Sequence, residues 1–321
     1  MRSNISVVIP SYNSAAYLAD AIDSALNQTL APLEVIVVND GSTDETAQLL
    51  ERYRGRINPI SQENRGLSAA RNRGIAAAQG DLIAFLDADD IWLPEKMEKQ
   101  LGCLEEHPQA ALVHSQLYYW DTQTGERTIQ RHRGRHEYTG RCYHRLFFQN
   151  GVIPSTMIVR RECLAKVGGF DEEIRRPTCQ DYDLCLRIAR HYEFGFVDEP
   201  LILYRQHASS STKRQVAENL ADNVFVVRKV LRNDPGLWRT LGREAVNERL
   251  FGLSFDAGYH YHEAGRSSEG RRYFLEALRY RPFNSRVWLL YLANFLPSRW
   301  VWRLRELKSS LAYVARKDCR A

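Results

Sequence analysis

Short apolar runs recur through the first third of the chain, and each ends in a polar cluster. Ser6-Val7-Val8-Ile9 is stopped by Pro10 and followed by Ser11-Tyr12-Asn13-Ser14, a turn able to start a helix. Leu33 to Val38 closes on Asn39-Asp40-Gly41-Ser42-Thr43-Asp44. Leu82-Ile83-Ala84-Phe85-Leu86 opens at Gly80-Asp81 and closes on Asp87-Ala88-Asp89. Apolar runs this short, bounded by turn residues, predict buried strands. The pattern gives strands near 5–10, 34–39, 57–61, 82–87 and 111–116, and helices near 14–27, 43–53, 66–78 and 94–106. Pro94 suits the first turn of the last helix. Such alternation predicts an α/β fold, a mostly parallel sheet flanked by helices.

Beyond residue 116 the periods are less regular. Asp121 to Gly125 reads as a hairpin turn and the basic run Arg131 to His136 as an exposed loop. A strand is expected over 152–160, a short helix from Cys163 to Val167 capped by Gly168-Gly169, and a helix from Asp181 to His191 carrying Leu184, Leu186, Ile188 and Ala189. Strands over 195–197 and 201–204 complete this part. From about residue 214 the pattern is helical. Residues 254–282 resemble one tetratricopeptide repeat, with Gly258, Tyr261, Phe274, Ala277 and Pro282 at its spacing and Gly270 in place of its small alanine. One repeat cannot bury its own face, so neighbouring helices or the preceding domain are expected to cover it. The expected division is 1–212 and a helical extension 213–321, the first subdivided into 1–115 and 116–212.

The polar clusters carry the candidate chemistry. A bare carboxylate is costly in a core, so Asp87 and Asp89 at a strand end call for a cation or a solvated cleft. Hard divalent ions take oxygen ligands and are often held by one or two carboxylates plus substrate phosphates. In open α/β sheets the carboxyl edge is where ligands bind. Asp-x-Asp alone is also a common polar turn; the neighbouring clusters Ser11–Ser14, Asn39–Asp44 and Asn64–Gly74 make the set informative.

The stretches VVIPSYN, VVNDGSTDET, NRGLSAARNRG and AFLDADD, followed by GGFDEEIRRPTCQDYDLCLRI and YRQHASS, resemble family 2 glycosyltransferases of GT-A fold over roughly residues 4–212. The resemblance implies an inverting transferase that moves a sugar from a nucleotide-sugar, usually a uridine diphosphate sugar, to an acceptor hydroxyl. It assigns Asp89 to a divalent cation, Mn²⁺ or Mg²⁺, and brings His207 of Tyr204-Arg205-Gln206-His207 to the metal or the diphosphate. Pro10, Tyr12, Asn13, Asp40, Arg71, Asp87 and Ala88 fall on the nucleotide-sugar side. Of these, Tyr12 offers a face to the base and Asp40 a carboxylate to the uracil imino hydrogen. Arg71 either contacts the diphosphate or holds Asp87. Asp181 of Gln180-Asp181-Tyr182-Asp183 matches the family's catalytic base; Gln180 departs from the usual glutamate and removes a negative neighbour. Asp183 is the alternative base, placed elsewhere on a helix by its two-residue offset. Asp90 is expected to cap or support the turn. Trp92, Gly169 and Gln180 fall on the acceptor side, with core packing the competing reading for Trp92, and Ser209 to Thr212 fit a lid.

Composition adds direction. Residues 1–212 carry 23 Lys/Arg against 28 Asp/Glu, net −5, and residues 213–321 carry 21 against 11, net +10. An acidic catalytic half and a basic extension predict an anionic partner for the extension, phospholipid or a lipid-linked phosphate acceptor. Nucleic acid lacks a supporting motif. The stretch 298–317 has Trp300, Leu304, Leu307, Leu311 and Val314 at helical spacing beside six Arg/Lys. It reads either as a helix in a membrane interface or as a cap on the helical core. Residues 5–9 read as a strand rather than a leader, and the apolar stretch 287–296 is about half a bilayer span. Cytoplasmic placement, peripheral to the inner membrane face, is therefore expected, with free thiols for six scattered cysteines. The acceptor is expected to be a glycan, a lipid-linked saccharide or a protein. Two alternatives compete. A nucleotidyltransferase would want a glycine-rich loop after the first strand, and Pro10-Ser11-Tyr12-Asn13 lacks one; a catalytically silent binding protein would not need Asp181 beside the aspartate pair.

Overall fold

The computed structural model describes residues 4–129, 138–174, 179–207 and 215–295. The chain divides into two units, Met1–Arg214 and Gln215–Ala321.

The first unit is built on one mixed sheet. Its strands are β1 (Ile5–Ser11), β2 (Glu34–Asp40), β3 (Asn58–Gln62), β4 (Leu82–Phe85), β5 (Ile91–Trp92), β6 (Ala110–Asp121), β7 (Arg127–Thr128), β8 (Ile158–Arg160) and β9 (Glu193–Gln206). They lie in the order β3-β2-β1-β4-β8-β6-β9-β5, with β7 on β6. The first four are mutually parallel, Val7 facing Val35 in β2 and Ala84 in β4. β8 turns the sheet antiparallel, against both β4 and β6. Because β1, β2 and β4 are parallel neighbours, the polar clusters that follow them share one edge.

Helices α1 (Ala15–Leu26), α2 (Thr46–Arg52), α3 (Leu67–Ala77), α4 (Lys96–Glu106), α5 (Tyr143–Phe148), α6 (Arg161–Val167) and α7 (Gln180–Ala189) complete this unit. α1 buries Leu18, Ala21, Ile22 and Ala25 against the β-branched residues of β1 and β2. α3 is a small-residue helix for a packing reason: a Cβ on Gly74 would lie 2.3 Å from a methyl of Val8. The predicted hairpin forms, Asp121 accepting the N–H groups of Gln123 and Thr124 while β6 pairs with β7.

Three expectations change. The strand expected over 152–160 shrinks to β8, because Pro154 opens a 3-10 turn, Pro154–Thr156, with no ladder donor on its first residue. The strands expected at 195–197 and 201–204 are one long strand, β9, that absorbs Pro200 at an irregularity against β6. Residue 115 lies inside β6, so the sheet is continuous where a subdivision was expected. The five described cysteines are free thiols. The basic run 131–136, the lid at 209–212 and the stretch 298–317 lie outside the described residues.

The second unit holds α8 (Val216–Asn233), α9 (Leu237–Thr240), α10 (Arg243–Glu263), α11 (Ser267–Tyr280) and α12 (Ser285–Ala293). The repeat-like positions pack as their spacing implied: a Cβ on Gly258 would meet the Phe274 ring at 2.8 Å, and Tyr261, Phe274 and Ala277 are buried. Ala217 and Ala221 of α8 cover one side of the pair, and Val287 of α12 packs on Phe274 and Ala277. Gly270 replaces alanine because the Asn294 amide oxygen occupies that place, 3.1 Å from where a Cβ would stand, and accepts from His262 Nδ1 at 3.0 Å. Among the described residues no helix is long and apolar enough to cross a membrane.

Candidate functional site

The turn after β1 is tied to the turn after β2. Asn13 has φ 49°, tolerable for asparagine, and its Oδ1 accepts the Thr43 N–H at 2.8 Å while its own N–H donates to Ser42 Oγ at 2.9 Å. Asp44 caps two helices, accepting from Ala15 N at 3.0 Å and Thr46 N at 3.1 Å. Tyr12 stands above this frame half exposed, an open aromatic face rather than core packing. Pro10 is buried in β1 beside it. Asp40 is buried and receives Gln62 Nε2 at 2.7 Å, Arg65 N at 2.9 Å and Gly66 N at 2.8 Å. Its carboxylate therefore holds the entry to α3, where Gly66 at φ 90° permits the bend.

The loop after β4 is the densest part of the site. Asp87 N–H donates to Ser155 Oγ at 3.1 Å, and Ser155 Oγ donates to Asp90 at 2.5 Å. Asp90 also accepts the Arg205 N–H at 3.2 Å and is fully buried. Burial and the neighbouring Asp89 and Asp87 push its carboxyl well above the usual range. Asp90 therefore supports the turn and is not a metal ligand facing the cleft. Ala88 is buried between its two more open neighbours. Arg205 pins the end of β9 beneath the motif: Nε donates to Asp89 O at 2.8 Å, a terminal nitrogen to Asp20 at 2.7 Å, and the guanidinium lies over the rings of Tyr17 and Trp120. Two residues on, His207 Nε2 lies 3.0 Å from Asp89 Oδ2, its ring 4.8 Å from that of Tyr17. Burial, and Asp87 beside it, raise the Asp89 carboxyl.

Arg71 joins this rim to α7. It is buried, pairs with Asp87 Oδ1 at 2.5 Å, donates to Gln180 Oε1 at 3.2 Å and lies over the Phe170 ring at 4.9 Å. Its Nε is buried without a partner among the described residues, as is Ser11 Oγ at the end of β1. Buried orphans of this kind mark places where a ligand or water completes a native site. Asp181, in the first turn of α7, accepts from Tyr182 N at 2.7 Å and Asn150 Nδ2 at 3.4 Å. Burial pushes its carboxyl up to about 6, against the pull of Arg71, and Asp87 pushes the same way. Asp181 thus senses both members of the Arg71–Asp87 pair. Asp183 is buried and bound to Arg187 Nε at 2.8 Å, and Arg187 in turn holds the carbonyls of Val167, Gly168 and Gly169. It is a latch between α7 and the turn at 167–169.

The acceptor-side expectation for Trp92 is corrected. Trp92 is a core residue: it is 2% exposed, its indole N–H donates to Ser155 O at 2.9 Å, and Lys96 Nζ lies 4.0 Å from its ring. Gly169 is a packing glycine; a Cβ there would meet Asn72 Oδ1 at 2.3 Å. Gln180 is buried and contacts Arg71, with its amide on Ile174 O at 3.2 Å. Ser155, Asn150, Phe170 and Arg205 were missed. Arg205 and Phe170 had a signal, their places in the Tyr204–His207 and Gly168–Ile174 stretches; Ser155 and Asn150 join the site through long-range packing.

No trio of His, Cys, Asp or Glu side chains suited to a metal gathers among the described residues. The Asp89 carboxylate and His207 imidazole, 3.0 Å apart, are donors of a kind that would fit a divalent ion completed by phosphate oxygens.

The family model "Glycosyl transferase family 2" matches residues 6–168. An uncharacterised glycosyltransferase of Nostoc sp. is 43% identical over 114 residues, 34% of this chain and 35% of that protein. One from Rickettsia prowazekii is 32% identical over 210 residues, 65% of each. The amylovoran biosynthesis glycosyltransferase AmsB of Erwinia amylovora is 33% identical over 235 residues, 65% of this chain and 74% of that one. The chain thus spans from about a third to two thirds of the first two relatives' length. Among solved structures, S. aureus TarS 1–349 in complex with UDP-GlcNAc superposes with a TM-score of 0.56 at 18% identity, covering 92% of this chain and 89% of that chain. At that identity the likeness shows the fold, which is of GT-A type with a helical C-terminal region.

Proposed function

The chain belongs to glycosyl transferase family 2, and from that premise we propose that it transfers a sugar from a UDP-sugar to an acceptor hydroxyl in polysaccharide or glycan assembly, with inversion at the anomeric carbon. The observation that carries this reading is the joining of Asp87 and Asp181, both part-exposed, through the buried Arg71 and Gln180 at the carboxyl edge of the sheet. Tyr12 offers its exposed face to the base, and Asn13 fixes the turn that presents it. Asp40 shapes the α3 entry and keeps a buried carboxylate at the base pocket.

Asp87 orients the donor, held in place by Arg71 and Ser155. Asp89 and His207 would hold a Mn²⁺ or Mg²⁺ ion, which would supply charge neutralisation to the departing diphosphate. Asp181 takes the acceptor proton. Its carboxyl near 6 is basic enough to accept a proton and still ionised at neutral pH, the compromise a general base needs. Among the described carboxylates of the rim, Asp90 and Asp183 are held in internal bonds, and Asp87 and Asp89 are engaged by Arg71 and His207, which leaves Asp181 as the base and assigns none to a nucleophile. One base and no covalent partner give a single displacement, hence inversion.

The acceptor is read as a growing glycan, lipid-linked or protein-borne, approached near an anionic surface that matches the basic balance of residues 213–321. A panel of UDP-sugars with Mn²⁺, assayed for UDP release by wild type and Asp181→Asn, tests the proposal. Metal-dependent release lost in the variant supports it. Equal release by both contradicts the base assignment, and no release with any sugar favours a silent binding protein.

A further inference from the structure

The second unit ends on a helix that is only half covered. α12 buries Val287 and, at its end, Asn294. Trp288, Leu289 and Leu292 lie on its other face and Phe295 in the turn after it, and all are exposed, Leu289 at 69%. Phe283, in the turn before it, is 97% exposed. Five large apolar side chains gathered on one short segment mark an interaction surface rather than chance exposure. The frame beneath them is fixed: Asn284 caps the helix by accepting Val287 N at 3.1 Å, and Trp288 Nε1 donates to Pro282 O at 2.7 Å.

The charge of the surrounding sequence selects the occupant. Residues 271–295 hold five arginines and one glutamate. That glutamate, Glu276, is already paired with Arg228 and Arg279. Arg272 and Arg286 have no carboxylate partner among the described residues; each lies over an aromatic ring, Tyr273 and Phe255. A second copy would bring the same cations face to face. The chain's own residues 296–321 carry seven Lys/Arg against two Asp/Glu, so they too would add like charge. An anionic lipid surface matches both features, apolar side chains for the acyl boundary and guanidinium groups for the headgroups.

We infer that the Trp288–Leu289–Leu292 face of α12, with Phe283 and Phe295 in the turns before and after it, docks the chain on an anionic membrane surface. This gives the surface contact of the proposed function a site, and its test needs no nucleotide, so it stands or falls apart from the transfer chemistry. The full chain is spun with vesicles of phosphatidylcholine alone, and of phosphatidylcholine with about a third phosphatidylglycerol. Wild type should partition to the anionic vesicles and be released by salt. The double variant Leu289→Gln/Leu292→Gln should lose about tenfold or more in partition. Arg272→Gln/Arg286→Gln should lose about fivefold per charge on anionic vesicles only. Circular dichroism of each variant checks that the helices persist. Equal partition of wild type and the leucine variant overturns the inference. So does a lipid-free dimer that the leucine variant dissolves, which would make the face a self-interface. Binding seen only after truncation at residue 295 would also overturn it, since residues 296–321 would then be the occupant.

Discussion

Arg71 holds the Asp87 carboxylate at 2.5 Å while its other terminal nitrogen reaches Gln180, the residue before the candidate base. One buried guanidinium thus links the donor rim to the acceptor side. Arg71→Met should cost about 2–4 kcal/mol in stability, because Asp87 and Gln180 Oε1 lose their donor in a largely dry setting. Arg71→Lys keeps the charge but not the two-pronged geometry, and should lower kcat by at least about tenfold. Urea melts and UDP-release kinetics measure the two effects.

Asp181 should give the turnover profile its acid limb, with kcat falling as pH drops through about 6. The same shift has a stability consequence. A carboxyl whose folded value lies above its unfolded one binds its proton more tightly when folded. Stability is then lost as pH rises from about 4 to about 6 and stays lower above. Asp181→Asn removes that loss. It should melt higher than wild type at pH 8, by about 1–2 kcal/mol, and show little difference at pH 4, while turnover falls by at least about a thousandfold. Calorimetry at the two pH values reads the sign directly.

Gln180 stands where the family resemblance expects glutamate. Gln180→Glu adds a negative neighbour to Asp181, partly neutralised by Arg71. The acid limb of the pH–rate profile should move upward, by about half a unit to one unit, with activity retained above it. A profile that does not move would separate Gln180 from the base.

Lys96 is fully buried between the Trp92 ring and Gln100, whose Oε1 accepts from Nζ at 2.6 Å. Burial pulls its ammonium well below the usual lysine range. The unfolded chain binds that proton more readily, so stability is lost as pH falls below about 10. Lys96→Met should be neutral or stabilising by about 1–2 kcal/mol at pH 7, with the advantage fading at high pH. A loss of several kcal/mol would show that the amine forms a needed bond.

The sheet was legible because β1, β2 and β4 are buried on both faces and read as unbroken apolar runs. The carboxyl-edge clusters followed from that alone. β9 was not legible as one strand: Pro200 and the acidic pair Asp198-Glu199 interrupt its apolar pattern, and only the ladder to β6 carries it across. The role of Ser155 was equally hidden, since a serine after a proline shows nothing of the three contacts it makes with Asp87, Asp90 and Trp92. Trp92 and Gly169 sit inside motif-like stretches yet serve packing. Proximity in sequence to a functional carboxylate does not place a side chain in the cleft. The repeat-like spacing of Gly258, Tyr261, Phe274 and Ala277 did translate into packing, because each position is defined by what fits between two helices.

On the proposed reading, the Asp89–His207 end of this rim gathers a cation with the diphosphate of a uridine nucleotide. Titrating UDP into the full chain by calorimetry, in EDTA and then in Mn²⁺, tests it most directly, with Asp89→Ala run in parallel. Mn²⁺ should tighten UDP binding to wild type by at least about tenfold and leave Asp89→Ala unchanged. Equal affinities with and without Mn²⁺, or an Asp89→Ala chain that still gains from the metal, would contradict it.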